Sequence, residues 1–498
     1  MNSHKNIITG LIFSVLGFIY ILAETNINNL GATPDSVSYI EASRNIFNGS
    51  GLDYYLSNRL VARWPPLYPV TLYLVSTVTG IDSIISSGYL SALLFFATIF
   101  VFNLIIIKFN ANNFTIILLN LLLITSSAMS VYLMIWSEPL FILLLLLIIY
   151  ILLNWIESGN YLTLFVAGIL SGLLIMTRYA GIGFVAGIVV FMLLKKDGLK
   201  IKLTNLIIYL FAITGMAGYW IIFLSNQSSG SLIKNTGFHL VSIGHLIQLK
   251  TSLMNWISPV FPRLGIVFFV MIFLLIIIYY REHKFNFQIR NISLQNKLII
   301  SLLISYFGFL LCFITFVSYI YLENRILAPA FPLILLLLIP VIEEIQKIKS
   351  KRLLYFIPVV FVLISCSYSF VVRSSNFYTE GEGYTKKIWL QSETVKILSK
   401  YKNLNIFTNG TDVVRFFYNN ENTVLPLPSM INSVTRSDNA EFPKEMESMK
   451  DSVNSGKSII VYFDNCDWRT SYPDKQQIKN KFSDVIIDEL NDGLILHK

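Results

Sequence analysis

The polar and apolar positions of this chain are not mixed at the short periods of a soluble fold. They segregate into long apolar runs separated by short polar joints. Runs such as 139–155, 298–321 and 353–372 are long enough for helices that satisfy their own backbone hydrogen bonds across a hydrocarbon core roughly 30 Å thick. The pattern predicts helices near 6–23, 84–107, 112–133, 139–155, 161–177, 179–194, 203–224, 264–280, 298–321, 326–342 and 353–372, about eleven spans. The first run follows Lys5 and lacks a convincing small-residue cleavage site at Ala23-Glu24-Thr25, so it reads as an uncleaved anchor. The apolar stretch 67–79 is shorter than the roughly 20 residues a span needs and reads as a helix lying on the membrane surface.

Charge gives this array a direction. Alternate joints are basic: Lys108, then Lys195-Lys196 with Lys200 and Lys202, then 281–297, then 347–352. Taken as cytoplasmic, they put the N-terminus inside and the C-terminus outside a plasma (inner) membrane. The outward connections are then 24–83, the joint around Trp136-Ser137-Glu138, a tight one at Arg178, 225–263, and Glu323-Asn324-Arg325. Composition agrees: of 498 residues, 54% are hydrophobic and 13% charged. A soluble chain carries about one quarter charged residues. The formal charge of +9 gathers in the basic joints, so positive-inside bias accounts for it and nucleic acid is not implied. Of the three cysteines, Cys312 and Cys366 lie in apolar runs and Cys466 stands alone, which offers neither a disulfide framework nor a metal cluster.

Beyond residue 372 the chain becomes charged and mixed for about 120 residues, a single-domain size. A helical pattern at 386–401 precedes strand-like 405–408, a helix from Thr411, strand-like 458–463 and 484–487, and an Asp492-Gly493 turn before 494–496. The expectation is a small extracytoplasmic α/β domain over 373–498, following a transmembrane module over 1–372. No internal repeat or low-complexity linker is present.

The outward joints hold the chemistry. Thr33-Pro34-Asp35-Ser36 has the grammar of a helix start: Thr as N-cap, Pro at the first helical position, an acid in the first turn. An amphipathic face including Val37, Tyr39, Ile40 and Phe47 then continues until Gly49-Ser50-Gly51. A helix N-terminus favours an ionised carboxylate. That suits plain complementation of the helix dipole, and it equally suits a general base accepting a proton from an attacking hydroxyl. Arg63-Trp64-Pro65-Pro66-Leu67-Tyr68-Pro69 follows as a proline-stiffened turn with aromatic residues fit for the headgroup layer. Glu138 opens an apolar run, either as a solvated helix-end acid or as the second acid of a polar site. Arg178 interrupts apolar 162–194, where a guanidinium is costly unless it has a task or snorkels to the interface. Arg325 ends another outer joint, beside Glu323, which is in place to pair with it. Both arginines match the geometry of an anionic head group. His239 and His245 are six residues apart and do not share a helical face, so no metal site is expected there.

The segments Pro34-Asp35-Ser36-Val37-Ser38-Tyr39-Ile40 with Arg44-Asn45 and Gly49, Trp64-Pro65-Pro66-Leu67-Tyr68-Pro69, Ser137-Glu138, Thr177-Arg178-Tyr179 and Asn324-Arg325, in this order, resemble GT-C glycosyltransferases. The likeness is to the bacterial branch related to protein O-mannosyltransferases and lipid A aminoarabinose transferases. It covers roughly 1–372, with weaker similarity beyond. The resemblance implies a cell-envelope enzyme that moves a sugar from a polyprenyl-phosphate donor in the membrane lipids to a hydroxyl on a glycan, lipid or protein acceptor, with inversion. By it, Asp35 is the catalytic base and Glu138 the second acidic position. Arg178 and Arg325, with Tyr179, Tyr39 and Trp64, contact the lipid phosphate or the sugar. A divalent cation is a candidate cofactor in such enzymes; Ser36 stands where many relatives carry a second acid, which leaves Asp35 alone and counts against a metal-dependent reaction. The rival readings are a transporter or flippase of lipid-linked saccharides, which also uses intramembrane arginines, and a polysaccharide polymerase or ligase.

Overall fold

A computed structural model describes residues 2–49, 64–227, 238, 240–257, 293–316, 322–347, 352–418, 423–432 and 437–498. The chain divides into two compact units: one comprises Met1–Leu30 and Tyr39–Thr379, the other Gly31–Ser38 and Glu380–Lys498.

The first unit is helical. Among the described residues six helices are long and apolar enough to cross a membrane: His4–Asn28, Ser83–Lys108, Glu138–Ser158, Leu199–Ile222, Leu294–Phe316 and Val359–Glu380. A seventh is counted if the bent pair Asn113–Thr125 and Ser127–Leu133 forms one span. The expected continuous helix over 112–133 is therefore broken, by 59°. The cause is local: Ser126 adopts an extended conformation, ending the first segment and capping the second through its hydroxyl, which accepts from Ala128 N. Tyr161–Thr177 and Gly181–Leu194 are helices of 17 and 14 residues, short for a straight crossing at 1.5 Å per residue. The expected span at 264–280 lies outside the described residues.

Helix pairing uses small residues. Gly168 and Gly172 lie four apart on one face of Tyr161–Thr177. A Cβ at Gly168 would meet Ala212 Cβ at 2.6 Å and Tyr209 O at 2.7 Å, and one at Gly172 would meet Met216 Cβ at 2.6 Å. Close backbone approach of this kind is how helices associate where lipid removes the hydrophobic incentive. Between the glycines, the Ser171 and Tyr209 hydroxyls bond at 2.7 Å. At the ends of the unit, Asn28 Nδ2 donates to Phe377 O at 3.0 Å and Tyr378 O at 2.7 Å, joining the first helix to Arg352–Glu380.

Two helices of the first loop form where the sequence places them. Pro34–Phe47 starts at the Thr33-Pro34 signal. Leu67–Thr79 follows the double proline and stops at Gly80, whose left-handed conformation and N–H to Ser76 O close the last turn. Arg44 holds Asp82 with a two-pronged grip, its Nε and Nη2 at 3.1 and 2.9 Å from Oδ2, while Asp82 caps Ser83–Lys108.

The second unit carries a five-stranded sheet in the order β2-β1-β3-β5-β4, with β1 Asn405–Thr408, β2 Val424–Pro426, β3 Ser458–Phe463, β4 Ile486–Leu490 and β5 Gly493–His497. β2, β1 and β3 run parallel, and β5 pairs antiparallel with both β3 and β4. β3 is buried along its whole length, the reason it reads as an uninterrupted apolar run. Its core gathers Met446, Met449, Ile460, Tyr462, Ile478, Phe482, Leu494 and Leu496. The helical pattern at 386–401 resolves into Lys387–Leu390, Glu393–Ile397 and a 3-10 turn, because Ser392 restarts the helix as an N-cap accepting from Val395 N. The hairpin differs by one residue from the expected turn. Leu490 pairs with Gly493, so Asn491-Asp492 form the loop. Gly493 instead serves close approach, since a Cβ there would lie 2.2 Å from Tyr462 O.

Candidate functional site

Glu138 opens the helix Glu138–Ser158, followed at once by Pro139, which is suited to a first helical turn. Its side chain is 1% exposed, so the solvated helix-end acid of the sequence reading is not what the structure contains. Arg178 ends Tyr161–Thr177 in an extended conformation, and that break in the helical run sends its guanidinium sideways. Nη1 lies 2.5 Å from Glu138 Oε1 and donates to Ser137 Oγ at 3.1 Å. Arg325, on the short helix Asn324–Leu327, brings Nε to 3.8 Å from the same Glu138 oxygen. Its guanidinium lies over the Trp136 ring at 5.2 Å.

One carboxylate therefore stands against two guanidinium groups. In buried surroundings this arrangement's charge interactions count for more than they would in water. The arrangement does not fit a divalent cation at Glu138, whose oxygen already faces two positive groups, and among the described residues no three His, Cys, Asp or Glu side chains converge as metal ligands.

Around this cluster the site is braced. The Tyr39 hydroxyl lies 3.3 Å from Ser137 Oγ. The Tyr39 ring packs edge-on against Tyr68 at 5.1 Å and Trp64 at 6.0 Å, so the proline-stiffened turn supplies two walls of an aromatic group. Asn324, next to Arg325, is tied three ways: Nδ2 donates to Ser127 O at 2.8 Å and to Ser130 Oγ at 3.1 Å, while Oδ1 accepts from Trp256 Nε1 at 2.6 Å. The Tyr179 hydroxyl accepts from Trp220 Nε1 at 3.4 Å. His245 Nδ1 takes the Ser242 N–H at 3.1 Å, and His239 lies outside the described residues.

Asp35 belongs to the other compact unit, with Gly31–Ser38. It is half-buried in the first turn of Pro34–Phe47. Ser36, three residues after the Thr33 cap, accepts the Thr33 backbone N–H at 3.0 Å and bonds the Thr33 hydroxyl at 3.2 Å. Ser36 is thus part of the helix cap.

The sequence singled out Glu138, Arg178 and Arg325 one at a time; the structure joins them in one cluster. Ser137, Trp136 and Asn324 are the residues the reading left without a role. The only signal for them is adjacency to the charges they support.

The first unit is thus a multi-helix array with a buried acid-arginine cluster, and the second an α/β unit. Among solved structures the chain is similar to ArnT from Cupriavidus metallidurans, both in the apo state and bound to undecaprenyl phosphate, with 12% identity, a TM-score of 0.62 and 97% of each chain covered. It is also similar to a mutant of the arabinofuranosyltransferase AftD from Mycobacteria, with 10% identity and a TM-score of 0.50, over 91% of this chain and 36% of that one. No protein-family model and no curated protein sequence matches the chain.

Proposed function

We propose that this protein is an inverting glycosyltransferase that moves a sugar from a polyprenyl-phosphate donor to a hydroxyl acceptor on the outer face of the plasma membrane. The observation that carries the reading is the Glu138 cluster, two guanidinium groups on one carboxylate, in a fold it shares with an ArnT structure that holds undecaprenyl phosphate.

In this reaction Asp35 takes the proton of the acceptor hydroxyl as its oxygen attacks the anomeric carbon from the face opposite the lipid phosphate. The bond between that carbon and the phosphate oxygen breaks, and the electron pair leaves with the phosphate. Arg178 and Arg325 stabilise the charge that develops there. Glu138 holds the two arginines in register, and Tyr39, Trp64 and Tyr179 contact the sugar or lipid phosphate.

The test is transfer by purified protein from a panel of polyprenyl-phosphate sugars, with Asp35→Asn as comparison. The expected result is transfer by the parent and none by the variant, with insertion and melting temperature preserved. Full activity in Asp35→Asn, or saccharide uptake into vesicles without transfer, overturns the reading.

A further inference from the structure

The C-terminal α/β unit has a second part that is remote in sequence. Ala32 forms a parallel bridge with Gly383, and the Tyr384 N–H donates to Ala32 O at 2.7 Å. Ala32 is fully buried. Gly383 has φ +58, and a Cβ there would fall 1.9 Å from Ala32 O. Both the backbone conformation and the close approach therefore require glycine.

Little freedom lies between this bridge and Asp35. Thr33 is locked to Ser36 at the helix cap, Pro34 has its φ fixed by its ring, and Val37 N donates to Thr33 O at 3.0 Å. Behind the bridge the support continues into the sheet. The Tyr384 hydroxyl donates to Asp412 Oδ2. Asp412, 2% exposed, receives Arg469 Nη2 at 2.7 Å on both oxygens, and Arg469 Nη1 donates to Asn409 O at 2.7 Å. The Asn409 side chain in turn grips Phe463, donating to its carbonyl at 3.0 Å and accepting its N–H at 2.9 Å.

Asn409 follows β1 and Phe463 ends β3. β2 lies on one side of β1 and β3 on the other, so this is the point where the parallel strand order reverses, the crevice that open α/β sheets commonly use to bind ligands. Here the protein's own Tyr384, Asp412 and Arg469 occupy it. The crevice is spent on holding the segment 31–38.

We infer that the α/β unit positions the first-loop acid: Gly383 and Tyr384 are positioning residues that set Asp35 through the Ala32 backbone. The inference rests on Asp35 being the reacting acid, and it gives the segment 380–498 a part in turnover through its hold on 31–38.

The experiment uses the full chain in detergent, with Gly383→Ala and Tyr384→Phe beside Asp35→Asn. In Gly383→Ala the Tyr384 amide is expected to lose hydrogen-exchange protection. Its kcat is expected to fall about 10- to 100-fold, the effect of an ångström-scale misplacement, while KM for the lipid donor stays unchanged. Tyr384→Phe keeps the backbone bond and is expected to lose less kcat at the same KM. It also carries the test alone if Gly383→Ala does not fold. Loss of amide protection with parental kcat overturns the inference, as does parental kcat in Tyr384→Phe when Gly383→Ala cannot be purified. Full activity in Asp35→Asn is the separate failure of the underlying reading.

Discussion

Arg178 reaches Glu138 across a bond of 2.5 Å, with 15% of the arginine side chain and 1% of the glutamate exposed. A pair so enclosed is held less by its own attraction than by the cost of separating it. Removing one partner strands a charge that has already lost its water.

Arg178→Ala is therefore expected to destabilise the folded protein by about 3–5 kcal/mol, towards the lower end because Arg325 remains near Glu138. Thermal unfolding in detergent checks this. Glu138→Gln leaves both arginines able to reach solvent or an anion and is expected to cost less. A larger loss in Glu138→Gln than in Arg178→Ala contradicts the account.

Arg178→Lys keeps the charge and replaces the planar guanidinium, whose Nη1 serves both Glu138 and Ser137, with a compact ammonium on a different stem. Arg325→Lys loses the planar contact with Trp136. In both, inhibition by free undecaprenyl phosphate is expected to weaken about tenfold, since charged hydrogen bonds are each worth about 1.5–3 kcal/mol. Unchanged inhibition in both variants removes the arginines from lipid-phosphate binding.

Gly172→Ile is expected to separate Tyr161–Thr177 from Leu199–Gln227, costing at least the 1–3 kcal/mol typical of overpacking, about, and to displace Arg178 at the end of the same helix. A melting-temperature drop accompanied by weaker undecaprenyl phosphate inhibition is the expected pair of results. A stable variant with parental inhibition shows that the close approach is dispensable.

In the α/β unit, burial pushes the Cys466 thiol up to about 12, and burial together with the Asp412 carboxylate holds the Tyr384 hydroxyl above its ordinary range. The folded state favours the neutral form of each group. Their contribution is complete below the unfolded thiol value of about 8.5 and is lost as pH rises towards the folded values. The unit is expected to lose stability from about pH 9 upward, read by the fluorescence of Trp389 and Trp468, with a shallower fall in Cys466→Ala. A stability profile flat to pH 11 refutes this assignment.

The sequence carried local features well and long-range ones poorly. The start of Pro34–Phe47 was readable because Thr33 and Pro34 act on the turn that follows them. β3 was readable because a strand buried along its whole length carries a continuous apolar run, and β1 by its short apolar centre, Ile406-Phe407. The break at Ser126 was hidden, since hydropathy does not distinguish a hydroxyl that bonds back to its own helix from one that caps the next. Arg178 stood out by the cost of placing a charge within an apolar run, and Glu138 as a second acid on an outward joint. Their pairing depends on how three helix ends meet, which no spacing encodes. The membership of 31–38 in the C-terminal unit was equally hidden, because a backbone bridge leaves almost no side-chain signature beyond Gly383.

The bridge between Ala32 and Gly383 also orders events during biosynthesis. Asn28 and its partner Phe377 are 349 residues apart, and Ala32 and Gly383 enclose a similar length. At roughly 5–20 residues per second, the translated first loop waits roughly 20–70 seconds before its partner strand emerges. Until then Ala32 has been made but its bridge partner has not, so a ribosome that stalls before the last quarter of the message leaves the segment 31–38 without the unit to which it belongs.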